Sequence, residues 1–356
     1  MRKLEIKTRH KSLKRHGNLF YKIVSLDNLR LAHKNARRGK RKYTDVKYVD
    51  KNLQKCLLDL QTSLINKTYK TGAYTRSVRL DRGKRRVILK LGYYPDRILH
   101  HAVMQILEPI WKKTLIPQTY QSIKGRGTSA CMHDVHKCIK QHSDKDLWIL
   151  KLDIAKYYPS VNNKILKKII RKKIKCAHTL WLLDSIIDSH VGLPIGNYIS
   201  QYFGNLYLSY FDRWVKSNAS VLGYFRYCDD VVVLLPSKAH CVALQKTILL
   251  YLRKQLKLSV NNKVQYFLLQ QRPLDFVGYI FYTDGTIKLR KRIKQGCIRS
   301  IRLSMEKSMP SYWGWVLSID ATCLWSFYSR LYPYDTDYKK KNDNKAPGNC
   351  LCTRTK

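Results

Sequence analysis

The spacing of apolar residues divides the chain into alternating helical and extended runs. Between Val49 and Leu64, the residues Leu53, Leu57, Leu60 and Leu64 recur at helical spacing, which predicts an amphipathic helix. Two strand-like runs, YTRSVRL and RRVILKL, then flank Asp81-Arg82-Gly83-Lys84, and a glycine-bearing turn between such runs predicts a hairpin with a basic tip. Residues 98–111 read as a helix, and the polar turn Lys124-Gly125-Arg126-Gly127 precedes another. Further on come a strand in DLWILKLDI, a lysine-rich helix, the stretch GLPIGNYISQ opening a helix, and a hairpin in GYFRYCDDVVVLL. Beyond residue 284 the chain turns basic and helical (KLRKRIKQGCIRSIRLSMEKS), and its polar end is expected to fray. No internal repeat or low-complexity linker interrupts this order.

Charge changes the picture. The chain of 356 residues holds 69 Lys or Arg and 24 Asp or Glu, for a net charge of +45. Charged residues make up 26%, close to the usual quarter, so the skew lies in sign and not in amount. Such a field repels itself in a compact state and points to a polyanionic partner, nucleic acid first and an anionic membrane second. A ribosomal-type protein is the plain alternative, but the 44% hydrophobic content suits a full globular core. Residues 1–43 end in ARRGKRK and read as an arm or amphipathic helix pair lying on phosphates, or as a solvated tail, rather than as core. The 10 cysteines are too dispersed for a disulfide scaffold, so free thiols in a reducing cytoplasm are expected. No window approaches the roughly 18 apolar residues of a membrane span, and a soluble intracellular protein is expected.

Against so little acid, the adjacent carboxylates of Tyr227-Cys228-Asp229-Asp230 sit in a strand-turn-strand. Aspartate also favours tight turns for local hydrogen-bonding reasons, so the pair alone decides little. Asp153 ends another predicted strand. If the two strands are neighbours in one sheet, three carboxylates converge at one edge, and a divalent metal pair relieves their repulsion. Two such ions about 3.5–4 Å apart activate a primer 3′-hydroxyl and stabilise departing pyrophosphate in an in-line transfer. That chemistry is nucleotide polymerisation.

These segments carry a family resemblance. LKLDIAKYYPSV resembles the first metal-binding motif of reverse transcriptases, RYCDDVVVL their tyrosine-x-aspartate-aspartate hairpin, and DFVGYIFY their primer grip. GLPIGNYISQ occupies the place of the nucleotide-pocket motif, and Lys263 in LSVNNKV matches the lysine preceding the primer grip. All occur in the family's order, over about residues 20–330. The resemblance implies an α+β right-hand polymerase fold with fingers, a ferredoxin-like palm and a helical thumb. It apportions the chain as a basic arm (1–43), fingers (44–145, with part of 160–215 shared by fingers and palm helices), palm (146–284), thumb (285–340) and polar tail (341–356).

By the same resemblance Asp153 and Asp229 are metal ligands, Asp230 is the third carboxylate and the Ile154 carbonyl a further ligand, with two Mg2+ ions as cofactors and Mn2+ as a substitute. Tyr158 matches the aromatic gate that collides with a ribose 2′-hydroxyl, and Tyr157 is the rival register. Backbone amides from Ala155 through Lys156 to Tyr158 would form an anion-binding nest. Lys84 and Arg86 fit the lysine-x-arginine pattern that clamps the incoming triphosphate, with Arg85 as rival. Ile195, Gly196 and Gln201 belong to the nucleotide pocket. Lys263 either protonates pyrophosphate or supports the sheet. Phe276, Gly278 and Tyr279 would position the primer end, and Lys124 and Arg126 would meet template. Cys131, His133, His136 and Cys138 have zinc-like residue types but lack paired two-residue loops and fall in an expected helix, so no metal is assigned there. Cys350 and Cys352 form no trusted motif, and His100-His101 reads as structural or RNA-facing.

The length is expected to leave no room for an RNase H, integrase or endonuclease domain. Group II intron maturases usually carry Gln before the pocket glycine and Ser-Pro at the motif's end, whereas here Ile195 precedes Gly196 and the motif closes with Ser200-Gln201. That departure and the short basic thumb resemble the reverse transcriptases of diversity-generating retroelements, encoded by bacteria or phages. Their members copy a template-repeat RNA into cDNA with misincorporation opposite adenine and act with a small basic oligomeric accessory variability protein. The partners so implied are template RNA, the cDNA or primer strand, dNTPs and that accessory protein. Maturase-like or abortive-infection reverse transcriptases are the near alternatives, and a catalytically silent RNA-binding protein the distant one.

Overall fold

The computed structural model describes residues 15–81, 84–303, 305 and 308–319. Residues 1–14, the tip residues Arg82 and Gly83, the expected tail, and Cys350 and Cys352 lie outside them. The chain divides by internal packing into two units, residues 1–272 and 273–356.

The first unit is built on a five-stranded sheet. Strands β1 (Thr75–Asp81) and β2 (Lys84–Lys90) form a separate antiparallel hairpin, as its alternating apolar residues and tight turn predict. The main sheet runs β3-β5-β6-β4-β7, from β3 (Thr119–Tyr120), β4 (Trp148–Asp153), β5 (Gly223–Tyr227), β6 (Asp230–Leu235) and β7 (Gln265–Leu268). Only β3 runs parallel to its neighbour. Strand, helices, hairpin, helix and strand in the order β7-β4-β6-β5 make the split βαβ arrangement of a ferredoxin-like palm.

The apolar run VVVLL explains the sheet's place in the core, because all five residues from Val231 to Leu235 are fully buried. Successive side chains in a strand point to opposite faces. Val231, Val233 and Leu235 join Leu150, Leu152 and the helix Lys238–Leu256, through Cys241, Leu244, Ile248 and Leu252, in the main core. Val232 and Leu234 face the other way, where the helix Thr128–Lys140 packs against β5 and carries the buried Cys131 and Cys138.

The N-terminal segment departs from its expectation. From Leu19 onward it is core and not an arm: helices Phe20–Val24 and Leu26–Ala36 bury Phe20, Ile23, Val24, Leu29 and Ala32. Asn28 donates its side-chain amide to the Ala102 carbonyl at 3.1 Å, and Gln105 donates to the Asn28 side chain at 2.8 Å. These bonds lock the segment to the helix Ile98–Lys112. The basic residues that dominate its composition hide an apolar face with helical spacing.

The second unit holds an antiparallel sheet of β8 (Leu274–Phe276), β9 (Tyr279–Phe281) and β10 (Ile287–Leu289), and helices Lys291–Arg302 and Met309–Leu317. The unit therefore begins before the expected palm–thumb boundary at residue 284, because β8 to β10 pack with those helices. A Cβ on Gly278 would stand 2.6 Å from the Trp315 ring. No helix among the described residues is long and apolar enough to cross a membrane.

Candidate active site

Strands β4 and β6 are neighbours, and their register sets Asp153 opposite Asp230 at one end of the sheet. Cys228 and Asp229 make the two-residue turn of hairpin β5–β6, with Cys228 at φ 58. The Ile154 amide donates to the Asp229 carbonyl at 3.2 Å, and the Asn261 amide to the Asp153 carbonyl at 2.9 Å. The Asn261 side chain donates to the Asp153 carboxylate as well. Burial first, and then the nearby charge of Asp153, raise the Asp229 pKa above the usual carboxylate range, while Arg86 pulls it partly back. An acidic pair with so little compensation suits a hard divalent cation. Among the described residues no group of three or more His, Cys, Asp or Glu is placed to hold an ion. The register sets Asp230 opposite Asp153, and the charge of Asp153 acts on Asp229 in the adjoining turn.

Beneath this turn lies a polar network that motif reading missed. Arg226 and Asp212, both fully buried, form a two-pronged ion pair at 2.7 and 2.6 Å. Asp212 also accepts from the Tyr224 hydroxyl at 2.6 Å and from Thr119 at 3.1 Å. The remaining guanidinium nitrogen donates to the Cys228 carbonyl at 2.9 Å and contacts the Asn205 side chain at 3.3 Å. Burial works against the charge on Arg226, yet Asp212 beside it more than restores it and raises its pKa. The carbonyl immediately before Asp229 is therefore fixed by a charged group that cannot move without stranding Asp212. One signal was available: Arg226 interrupts an otherwise apolar-aromatic strand, GYFRY, at a position that must face the core.

Packing separates the two tyrosines. Tyr157 is buried and donates its hydroxyl to the Gly204 carbonyl at 2.5 Å, so its ring is part of the core. Tyr158 is half-buried, and the Cys228 thiol donates to its hydroxyl at 3.7 Å, which sets the ring beside the acidic turn. The amide of Ala155 is already spent on the Ser259 carbonyl at 2.9 Å and cannot join a phosphate nest. Exposed Lys156, at φ 44, turns the chain there.

On the fingers hairpin, Arg86 is exposed and lies within electrostatic reach of Asp229. Lys84 opens β2 opposite Asp81, and its side chain is not among those described. The base of the hairpin is pinned to the nucleotide-pocket segment: the Leu89 amide donates to the Ile195 carbonyl at 2.8 Å. A Cβ on Gly196 would stand 2.4 Å from the Leu89 carbonyl oxygen, and its φ of +131 independently demands glycine. Ile195 is half-buried, and the exposed Gln201 accepts from Ser122 at 2.9 Å. Lys263 is exposed, two residues past the Asn261 that holds Asp153.

Other expected contacts become structural. Arg126 donates to the Ile116 carbonyl at 2.8 Å and braces its own loop, leaving Lys124 as the exposed cation of that turn. Phe276 and Tyr279 are buried within the second unit, where the Tyr279 ring packs 5.0 Å from Trp315 and its hydroxyl bonds Ser318 at 2.5 Å. Their side chains are not available to a primer. The turn between them, with Val277 at φ 43 and Gly278 at φ 93, presents backbone instead.

A ferredoxin-like sheet bearing an acidic pair at a tight hairpin is the architecture of a right-hand polymerase palm. Residues 68–281, more than half of the chain, match the family described as reverse transcriptase (RNA-dependent DNA polymerase), and the chain belongs to that family. It is 24% identical over 254 residues to Protein YkfC of Escherichia coli (strain K12), covering 58% of this chain and 64% of that one, so it spans just under two thirds of that relative. Its fold is similar to telomerase from Candida albicans, solved with a fragment of telomeric RNA, with a TM-score of 0.50 and 14% identity over 78% of this chain and 55% of that chain. Apo telomerase from Candida tropicalis gives 0.51 and 12%, over 80% and 65%.

Proposed function

We propose that the chain is an RNA-directed DNA polymerase that extends a primer 3′ end by in-line nucleotidyl transfer from dNTPs. The observation that carries this is the coupled pair Asp153 and Asp229, fixed at the sheet's end by Asn261 on one side and by the Arg226 network on the other. The pair would hold Mg2+, with the Ile154 carbonyl and Asp230 as further candidates. Such ions, when bound, supply activation of the 3′-hydroxyl and neutralise the departing pyrophosphate. Arg86 would offset triphosphate charge from above the acidic turn. Tyr158 would stand where an incoming ribose 2′-hydroxyl collides with it. Lys263, exposed beyond Asn261, would donate a proton to pyrophosphate. Asp229→Asn is expected to lower primer extension by roughly a hundredfold or more while filter binding of RNA survives, since the positive field comes from other residues. Normal extension by this variant would sink the assignment.

The finer reading is a diversity-generating enzyme that misincorporates opposite adenine and works with a small basic accessory protein. It rests on Ile195, whose carbonyl is bound to the fingers hairpin while its side chain offers no hydrogen bond to a nucleotide. Glutamine there would add an alignment worth about 0.5–1.5 kcal/mol for a neutral hydrogen bond. Sequencing cDNA made on an adenine-rich RNA should show fewer adenine errors with Ile195→Gln at similar total synthesis. Equal error rates would make Ile195 a packing residue.

A further inference from the structure

A strained loop and the acidic turn meet at one side chain, Asn205. Gln121 and Ser122 follow β3 and stand in succession at φ 75 and φ 56, a left-handed region that non-glycine residues seldom enter. The Gln121 side-chain oxygen is buried there without a hydrogen-bond partner among the described residues. A conformation that costly persists only where its surroundings hold it. Two bonds do so from the helix Tyr198–Tyr207: Asn205 donates its side-chain amide to the Gln121 carbonyl at 3.0 Å, and the Ser122 hydroxyl donates to Gln201 at 2.9 Å. Positions 201 and 205 are about one helical turn apart, so both reach the loop from one face.

The other end of the same amide faces the palm. Its oxygen accepts from the Arg226 guanidinium at 3.3 Å, and that nitrogen also donates to the Cys228 carbonyl at 2.9 Å, immediately before Asp229. A second guanidinium nitrogen donates to the Asn205 backbone carbonyl at 3.4 Å. The two ends fix the orientation of the amide, because a flipped amide would set a donor against the guanidinium and an oxygen against the Gln121 carbonyl. Asn205 is 4% exposed in the middle of a helix, where leucine has the higher helix propensity and loses nothing by burial. The two bonds, and not packing, account for an amide at this place.

We propose that Asn205 is a positioning residue that makes the placement of Asp229 depend on the seating of the loop at residues 121–126. With the left-handed pair in place, the Gln121 carbonyl orients the amide, the amide oxygen orients Arg226, and Arg226 holds the Cys228 carbonyl. When the loop relaxes, the amide loses its anchor and the turn loses one restraint. This rests on the polymerase reading for the role of Asp229, whereas the coupling rests on the bonds alone.

The test uses the full chain. Asn205→Leu removes both side-chain bonds, and Asn205→Asp keeps the acceptor toward Arg226 while losing the donor toward Gln121. Each should lower kcat for primer extension about tenfold with the KM for dNTP held within about twofold, and filter binding of RNA should be unchanged. Normal kcat in Asn205→Asp would leave the Gln121 bond idle and overturn the proposal. Gly125→Val disturbs the loop itself: its φ of +81 excludes a branched side chain, although nothing stands within 4 Å of the added Cβ. In the wild-type background it should lower kcat and speed hydrogen exchange of the Ile154 amide, which donates to the Asp229 carbonyl. In the Asn205→Leu background it should change either by less than about twofold. Losses that multiply in the double variant overturn the proposal. Unchanged Ile154 exchange in Gly125→Val alone overturns it as well, whether or not the Asn205 variants fold. Exchange needs no substrate, so a wild type that extends no primer would sink the polymerase reading while exchange still decides the coupling.

Discussion

The palm turn and the base of the fingers bury charged and titratable groups in opposite ways. Under the turn, the buried network of Arg226, Asp212, Tyr224 and Thr119 is closed, with the carboxylate accepting from three side chains. At the base of the fingers, Arg97, His100 and His101 keep buried nitrogens without partners. A saturated network resists rearrangement, because moving one member strands another in a medium of low dielectric. That suits the part of the molecule that must hold Asp229 at a fixed distance from Asp153. Unpaired groups leave a surface whose missing bonds a ligand can complete.

The largest expected effect breaks the saturated side. Arg226→Leu leaves Asp212 buried without its counter-ion and should cost about 3–5 kcal/mol of stability, read as a lowered denaturation midpoint. Restoring charge balance with Arg226→Leu/Asp212→Leu should recover much of that stability but not primer extension, because nothing then holds the Cys228 carbonyl. A double variant with normal extension would show that the network supports only the fold.

The unsatisfied side should show in the pH dependence of stability. His100 titrates near 6.5 when unfolded but at about 3 when folded, so the unfolded chain binds more protons between those values and stability falls as pH drops through them. His101, lowered by burial to about 4, adds to the same slope over a narrower range. From pH 7 to pH 5 the loss attributable to His100 should approach about 2 kcal/mol. His100→Phe should flatten the slope. An unchanged slope would mean that this imidazole is not held neutral in the fold.

The smallest effect on stability belongs to the hairpin, where Arg86 stands exposed on β2. Arg86→Ala should leave the denaturation midpoint within about 0.5 kcal/mol while raising the KM for dNTP about tenfold. If Arg85→Ala raises KM and Arg86→Ala does not, the triphosphate contact lies one residue earlier on the strand.

Much of the acidic turn and its neighbouring strand was legible in the sequence because the signals are local. A strand ending in Asp153 and a hairpin turning at Cys228-Asp229 follow from alternation and turn chemistry within a few residues. The order of the segments around them resembled one family. Helices at Leu53–Ile65 and Ile98–Lys112 and the fingers hairpin followed from spacing in the same way.

What needed the tertiary structure was every question of which face is covered. Tyr157 and Tyr158 are adjacent and chemically identical, and only packing buried the first, with its hydroxyl on the Gly204 carbonyl, while the second stays half-buried beside Cys228. Phe276 and Tyr279 read as primer contacts until Trp315 closed over their turn. Leu19 to Ala36 read as a basic arm because composition averages over faces, whereas burial selects the apolar stripe that meets the helix at Ala102. Arg226 looked like one cation among 69 until Asp212, from the helix Ser209–Lys216 that packs against β5, stood beside it. Propensity and turn geometry act between near neighbours in the chain, but desolvation and ion pairing depend on which distant element packs on top.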